Sequence, residues 1–159
     1  MFLVVCLFLP LFVVTEEYAE YLDSYPADYV DESIGLNIHE LASVSAVDYG
    51  RIYGRIFAGV EGALYIALTV TLVVAALLTL LFAALNKPIG AIVFDVISFA
   101  VYHVMVYDLI DRGVLPDSRW KWSVSYYLLN IVPVMMLAIA IWMLAVKRRR
   151  KKHITSSNN

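Results

Sequence analysis

One cysteine, three histidines and five prolines in 159 residues exclude several kinds of protein at once. Cys6 alone cannot build a disulfide framework or a zinc knuckle, each of which needs further thiols. His39, His103 and His153 fall in three separate regions, so no metal-ligand spacing arises and no metal is assigned. The chain lacks a glycine-rich phosphate loop, a nucleophile elbow and a His-Glu-x-x-His motif, and it is therefore read as a non-enzyme without a cofactor. Intramembrane hydrolysis would need a second carboxylate level with Asp95, and the other apolar runs offer none. No Asn-x-Ser/Thr sequon occurs, which excludes N-glycosylation. Charge is scarce as well, at 16% of residues.

Apolar residues are what the chain has instead. They make up 62% of it, with a mean hydropathy of +0.76, against roughly 45–50% apolar residues in soluble domains. The expected fold is all-α, a multi-pass transmembrane protein with three spans after an N-terminal signal peptide, or four membrane elements if that signal is retained. The first apolar run, 2–14, suits the h-region of a signal and is short for a span, although Pro10 interrupts it. Segment 1–15 is accordingly a cleaved signal or a short anchor. An acidic, tyrosine-rich exterior segment follows over 16–36, in its bland form simply flexible and in its sharper form a site of tyrosine sulfation or a tyrosine-rich contact surface for a partner. Asn37 with Glu40 has the form of a helix start, and no proline stands between there and Leu85. The sequence thus predicts a continuous helix whose part 37–62 is amphipathic and interfacial and whose part 63–85 is the first span. Asn86-Lys87-Pro88 closes it and opens the second span, 89–110. An exterior loop, 111–122, leads to the third span, 123–146, and then to a basic tail, 147–159. Trp122 and Trp142 bracket the third span at the spacing of two interfacial aromatic belts.

The formal net charge of -2 hides a separation: nine of fourteen acidic residues lie between Glu16 and Asp48, and six consecutive basic residues run from Lys147 to Lys152. By the positive-inside rule Lys87 and that cluster face the cytosol and the N-terminal region faces the exterior. The expected location is the secretory pathway, the plasma membrane or a virion envelope.

Three patterns carry functional expectations. Ala42, Ala46, Gly50, Gly54, Ala58 and Gly62 recur every four residues, so on one helix they form a smooth ridge along which a second helix packs closely. That second helix is a partner or another copy, or else the chain's own third span. Asp95, His103 and Asn130 are polar groups inside apolar runs, where a carboxylate costs about 2.5–3.5 kcal/mol even on insertion scales. They stand as a clamp that sets helix register, with Asn130 bonded to Asp95 or His103, or as a proton or cation pathway. Arg51 and Arg55 are placed at the headgroup level beside the first span. Lys147, Arg148, Arg149, Arg150, Lys151 and Lys152 stop transfer and attract anionic lipid, nucleic acid being reachable only through this tail. The expected partners are membrane lipids and other membrane proteins, in a homo-oligomer or a hetero-complex.

The layout looks like that of small viral envelope proteins and of accessory subunits of membrane complexes. The expected role is structural, assembly with itself or with other membrane proteins through the glycine/alanine ridge and the polar clamp, with an oligomeric channel or transporter subunit using Asp95 and His103 as the alternative.

Overall fold

The computed structural model describes residues 2–24, 29–31, 36–57, 59–113 and 119–157. In chain order the elements are α1 (Phe2–Phe8), β1 (Pro10–Val14), α2 (Glu16–Asp23), β2 (Tyr29–Asp31), β3 (Leu36–Asn37), a 3-10 turn (Ile38–Leu41), β4 (Ser43–Ser45) and α3 (Ala46–Ile56). They continue with α4 (Val60–Ala84), α5 (Pro88–Asp111), β5 (Trp120–Trp122) and α6 (Val124–Ser157).

The chain is mostly helical, and three helices are long and apolar enough to cross a membrane: α4, α5 and the part of α6 up to Arg149. The most apolar 18-residue stretch of each has a mean hydropathy of 2.7, 2.0 and 2.4 respectively. Apolar side chains cover their outer faces as well as their packed ones: Leu64, Val70, Leu77 and Leu81 of α4 are exposed while Leu72 and Ala76 are buried. A helix that is hydrophobic all round belongs in an apolar surrounding. Trp142 of α6 is exposed, and Trp120 and Trp122 sit at the opposite end in β5.

Short-range chemistry explains the breaks. Asn86 adopts a left-handed backbone with φ 55° and Pro88 opens α5, so the α4–α5 connection is a tight turn. Asn37 does cap, accepting a hydrogen bond from the His39 amide at 2.9 Å, yet it starts only the 3-10 turn. The continuous helix expected from 37 to 85 is therefore divided. Residues 43–45 pair with β1 instead, and Ser45 begins α3 with a capping box, its Oγ accepting from the Asp48 amide while Asp48 Oδ2 accepts from the Ser45 amide, both at 3.1 Å. α3 ends at Phe57, whose backbone is extended, and Gly59 turns the chain into α4 with φ 73°, a conformation that glycine adopts without strain.

The all-α expectation also omits a sheet. β1 lies between β4 and β5, antiparallel to both, with Phe12 opposite Val44 on one side and Trp122 on the other. Bonds from the Val14 amide to the Ala42 carbonyl (3.0 Å) and from the Thr15 amide to the Arg119 carbonyl (2.8 Å) extend the pairing. A second, two-stranded sheet joins β2 and β3.

α4 packs against α3 and α5, and α5 against α6, while α1 lies against α3, α4 and α6. One contiguous core results, in which Leu3, Cys6, Leu7, Leu11 and Phe12 meet Tyr49, Leu72, Tyr102, Met105 and Leu129. The segment that reads as a signal in the sequence is thus interior packing and the middle strand of the sheet. The sheet sits at one end of the bundle and the α4–α5 turn at the other.

Candidate functional site

At the sheet end four polar groups converge. Asp108, in the last turn of α5, accepts a hydrogen bond from Tyr49 of α3 at 2.8 Å and one from Arg112 Nε at 2.9 Å. The same arginine donates from Nη2 to the Tyr65 hydroxyl of α4. Its guanidinium also lies over the rings of Phe57, Tyr65 and Tyr53, at 4.9, 5.5 and 5.8 Å from their centroids. Burial and the bond to Asp108 push the Tyr49 hydroxyl well above the usual tyrosine range, and burial together with the nearby Asp108 charge pushes Tyr53 up to about 12. The bond to Asp108 raises Arg112 further, so it is a permanent cation. Charges here satisfy one another, and the cluster latches α3, α4 and α5 together. Sequence reading passed over it, although the Asp108/Arg112 spacing of four on a helix was a usable signal. The tyrosines are 59 and 47 residues away from their partners and had none. A cleft of about 580 Å³ opens beside the latch, walled by Phe12, Val44, Ile52 and Trp120.

The small-residue ridge is divided between elements. A β-carbon at Gly50 would overlap Thr69 of α4, and one at Gly54 would come within 2.8 Å of Ile66. A β-carbon at Gly62 would overlap the Phe57 carbonyl and stand 3.0 Å from that of Gly54. The three glycines therefore bring α3 against α4 as a helical hairpin. Ala46 is buried at the start of α3, Ala42 follows the 3-10 turn beside β1, and Ala58 lies outside the described residues. The groove expected on one long helix is closed because α3 and α4 are separate helices that meet at Gly50, Gly54 and Gly62, so this part of the ridge packs within the chain on the first span and not on the third. Arg51 pairs with Asp48 at 3.4 Å on the exposed face, and Arg55 is exposed.

Asp95, His103 and Asn130 are not brought together. Asp95 is 3% exposed, and its Oδ1 has no hydrogen-bond partner among the described residues. It lines a cleft of about 160 Å³ between α4 and α6, with Thr79, Ala83, Ala91, Met136 and Ala140. Thr79 gives its hydroxyl proton to the Ala75 carbonyl at 2.9 Å rather than to Asp95. Ser98 and Tyr102 share the buried face of α5, whereas His103 is exposed, with Nδ1 2.9 Å from the Phe99 carbonyl. Asn130 donates to the Tyr126 carbonyl at 2.7 Å and to the Tyr102 hydroxyl at 3.4 Å. The expected bond from Asn130 to His103 is absent because His103 turns to the exposed face of α5 while its neighbour Tyr102 faces α6, and the bond to Asp95 is absent because the two lie at different depths. α5 and α6 are antiparallel, so Asn130, near the start of α6, lies toward the sheet end, while Asp95, near the start of α5, lies toward the turn end.

In the basic tail Lys147 donates to the Asn86 carbonyl of the α4–α5 turn, and Arg148 and Arg149 are exposed. The side chains of Arg150, Lys151 and Lys152 lie outside the described residues. Among the described residues no three of His, Cys, Asp and Glu converge as a metal site would require.

Fold and site together define a class: a mostly helical protein with three candidate transmembrane helices and a small sheet at one end. Comparison with known protein families, characterised proteins and solved structures finds no match.

Proposed function

We propose that this chain is a non-enzymatic integral membrane protein, an accessory or envelope-type subunit, that works by assembling with another membrane-embedded helix through the cleft between α4 and α6. The observation that carries this reading is Asp95: a buried carboxylate oxygen without a donor, in a cleft otherwise lined by small and flexible side chains. Such a group in hydrocarbon calls for company. The cleft has room for one side chain and not for a helix, so the partner supplies a single donor, an ammonium, guanidinium, amide or hydroxyl, into it. The glycine ridge serves a different end, because its contacts are made within the chain.

On this reading residues 2–14 stay in the mature protein, since their loss would remove the middle strand and five buried side chains. The basic tail and Lys87 face the cytosol and the sheet faces the exterior.

A photo-crosslinking residue in place of Ala140 tests the assembly in the native membrane. Expected is a protein adduct, of the chain's own size or another, that disappears when Asp95→Leu is added. Adducts with lipid alone would end the proposal. Proton or cation flux through the purified protein in liposomes, abolished by Asp95→Asn, would replace assembly with conduction.

A further inference from the structure

The end of the bundle opposite the sheet carries a further cleft, of about 530 Å³, where the α4–α5 turn meets α6. Its walls are apolar: Phe82 of α4, Ile89 at the start of α5 and Leu144 of α6. Its rim is cationic, with Lys87, Lys147 and Arg148, and no acidic side chain lines it.

The wall is held in place. Gly90 lies under Phe82, where a β-carbon would come within 2.7 Å of the ring, and that ring stacks on Phe94 at 5.4 Å with an interplanar angle of 4°. Lys147 ties α6 to the turn through the Asn86 carbonyl. Lys87 and Arg148 are exposed and enter no ion pair among the described residues. The first turn of α5 has neither a side-chain cap nor an acidic residue, so its amide dipoles add positive potential at the same place.

We infer that this cleft binds one anionic phospholipid, its phosphate held by Lys87 and Arg148 and an acyl chain lying against Phe82, Ile89 and Leu144. Position decides the occupant. The cations lie at the ends of helices long enough to span a bilayer, where headgroups sit, and the apolar wall runs from them along those helices. A free phosphate would use the rim and leave the wall uncovered. A zwitterionic lipid would cover the wall but gain little from the rim. Two cations not engaged by the turn give a preference for the anionic headgroup of about 30-fold, equivalent to about 2 kcal/mol at 1.4 kcal/mol per tenfold.

Native mass spectrometry of the full chain in mixed micelles tests this, with phosphatidylglycerol and phosphatidylcholine of identical acyl chains at equal concentration. Expected is one phosphatidylglycerol per chain, retained about 30-fold over phosphatidylcholine. The Lys87→Gln/Arg148→Gln pair brings the two lipids to near parity, while Lys151→Gln/Lys152→Gln, further along α6, leaves the preference in place. Equal loss in both pairs would reduce the effect to general attraction by the tail and overturn the site. An unchanged preference in Lys87→Gln/Arg148→Gln would overturn it too. Inorganic phosphate in excess leaves the lipid bound if the apolar wall contributes; displacement by phosphate would overturn the lipid as occupant. Leu144→Ser, which spares every cation, weakens retention of both lipids.

Discussion

Gly50 of α3 lies so close to Thr69 of α4 that a β-carbon at position 50 would overlap the threonine side chain, most closely at its hydroxyl oxygen. That approach, repeated at Gly54 against Ile66, sets the distance at which the α3–α4 hairpin closes. Gly50→Ala therefore forces the two helices apart. The expected cost is about 1–3 kcal/mol, the range for overpacking a filled contact, read as a lowered midpoint of thermal unfolding in detergent. Thr69→Ala in the same chain recovers part of it by removing two of the three overlapping atoms. Equal stability of Gly50→Ala and the parent would show that the hairpin is not closed at this point.

The latch at Asp108 is testable by a double-mutant cycle. Tyr49→Phe removes one donor to the carboxylate, and Asp108→Asn removes the charge that both Tyr49 and Arg112 engage. Hydrogen bonds to charged groups contribute about 1.5–3 kcal/mol, so Asp108→Asn is the more damaging change. The two effects combine to less than their sum. Strict additivity would mean that Tyr49 and Asp108 do not interact in solution.

Alkaline pH should loosen the same end of the molecule. Tyr53 titrates at about 12 in the fold against an ordinary value of 10.0. Its folded value is raised, so the folded state holds the proton longer than the unfolded one. Stability from this group is complete below the ordinary value and is lost progressively as pH rises through the folded one. Unfolding midpoints are expected to be flat in Tyr53 background up to about pH 10 and to fall beyond it, with a shallower fall in Tyr53→Phe. A tyrosinate absorbance titration that finds every tyrosine ionising at its ordinary value would contradict this.

Leu7 separates a folded N-terminal segment from a discarded one. It is 1% exposed, in the core beside α4 and α6. If residues 2–14 persist, Leu7→Ala costs about 2–5 kcal/mol, as large-to-small core changes do. If they are removed on export, the purified protein is identical in mass and stability with or without the substitution. Intact mass and thermal unfolding of the two proteins decide between these.

Much of the membrane architecture was legible in the sequence because it depends on local properties. Length and hydropathy marked the three long apolar helices, although α6 runs on through the basic segment to Ser157, and Asn86 with Pro88 marked the turn between α4 and α5. The Ser45 cap went unread because Asn37 has the form of an earlier helix start. The expected continuous helix from 37 failed because residues 43–45 pair with a strand some thirty positions earlier, a contact that no local propensity records. Gly59 was visible as a glycine, but its positive φ was not.

What only the tertiary structure decided is which groups meet. Small residues every four positions read as a ridge for a partner helix or for the chain's own third span, whereas Gly50 and Gly54 meet Thr69 and Ile66 of α4. The sequence lets Asn130 reach Asp95, but each lies near the start of its own helix, and the antiparallel course of α5 and α6 sets those starts at opposite ends of the bundle. Asp108, Arg112, Tyr49 and Tyr65 are drawn from three helices and the residue following α5. By itself the sequence determined what the chain tolerates as a solvent, because hydropathy sums residue by residue. Partners across the bundle are set by crossing geometry and chain reversal, which that sum does not contain.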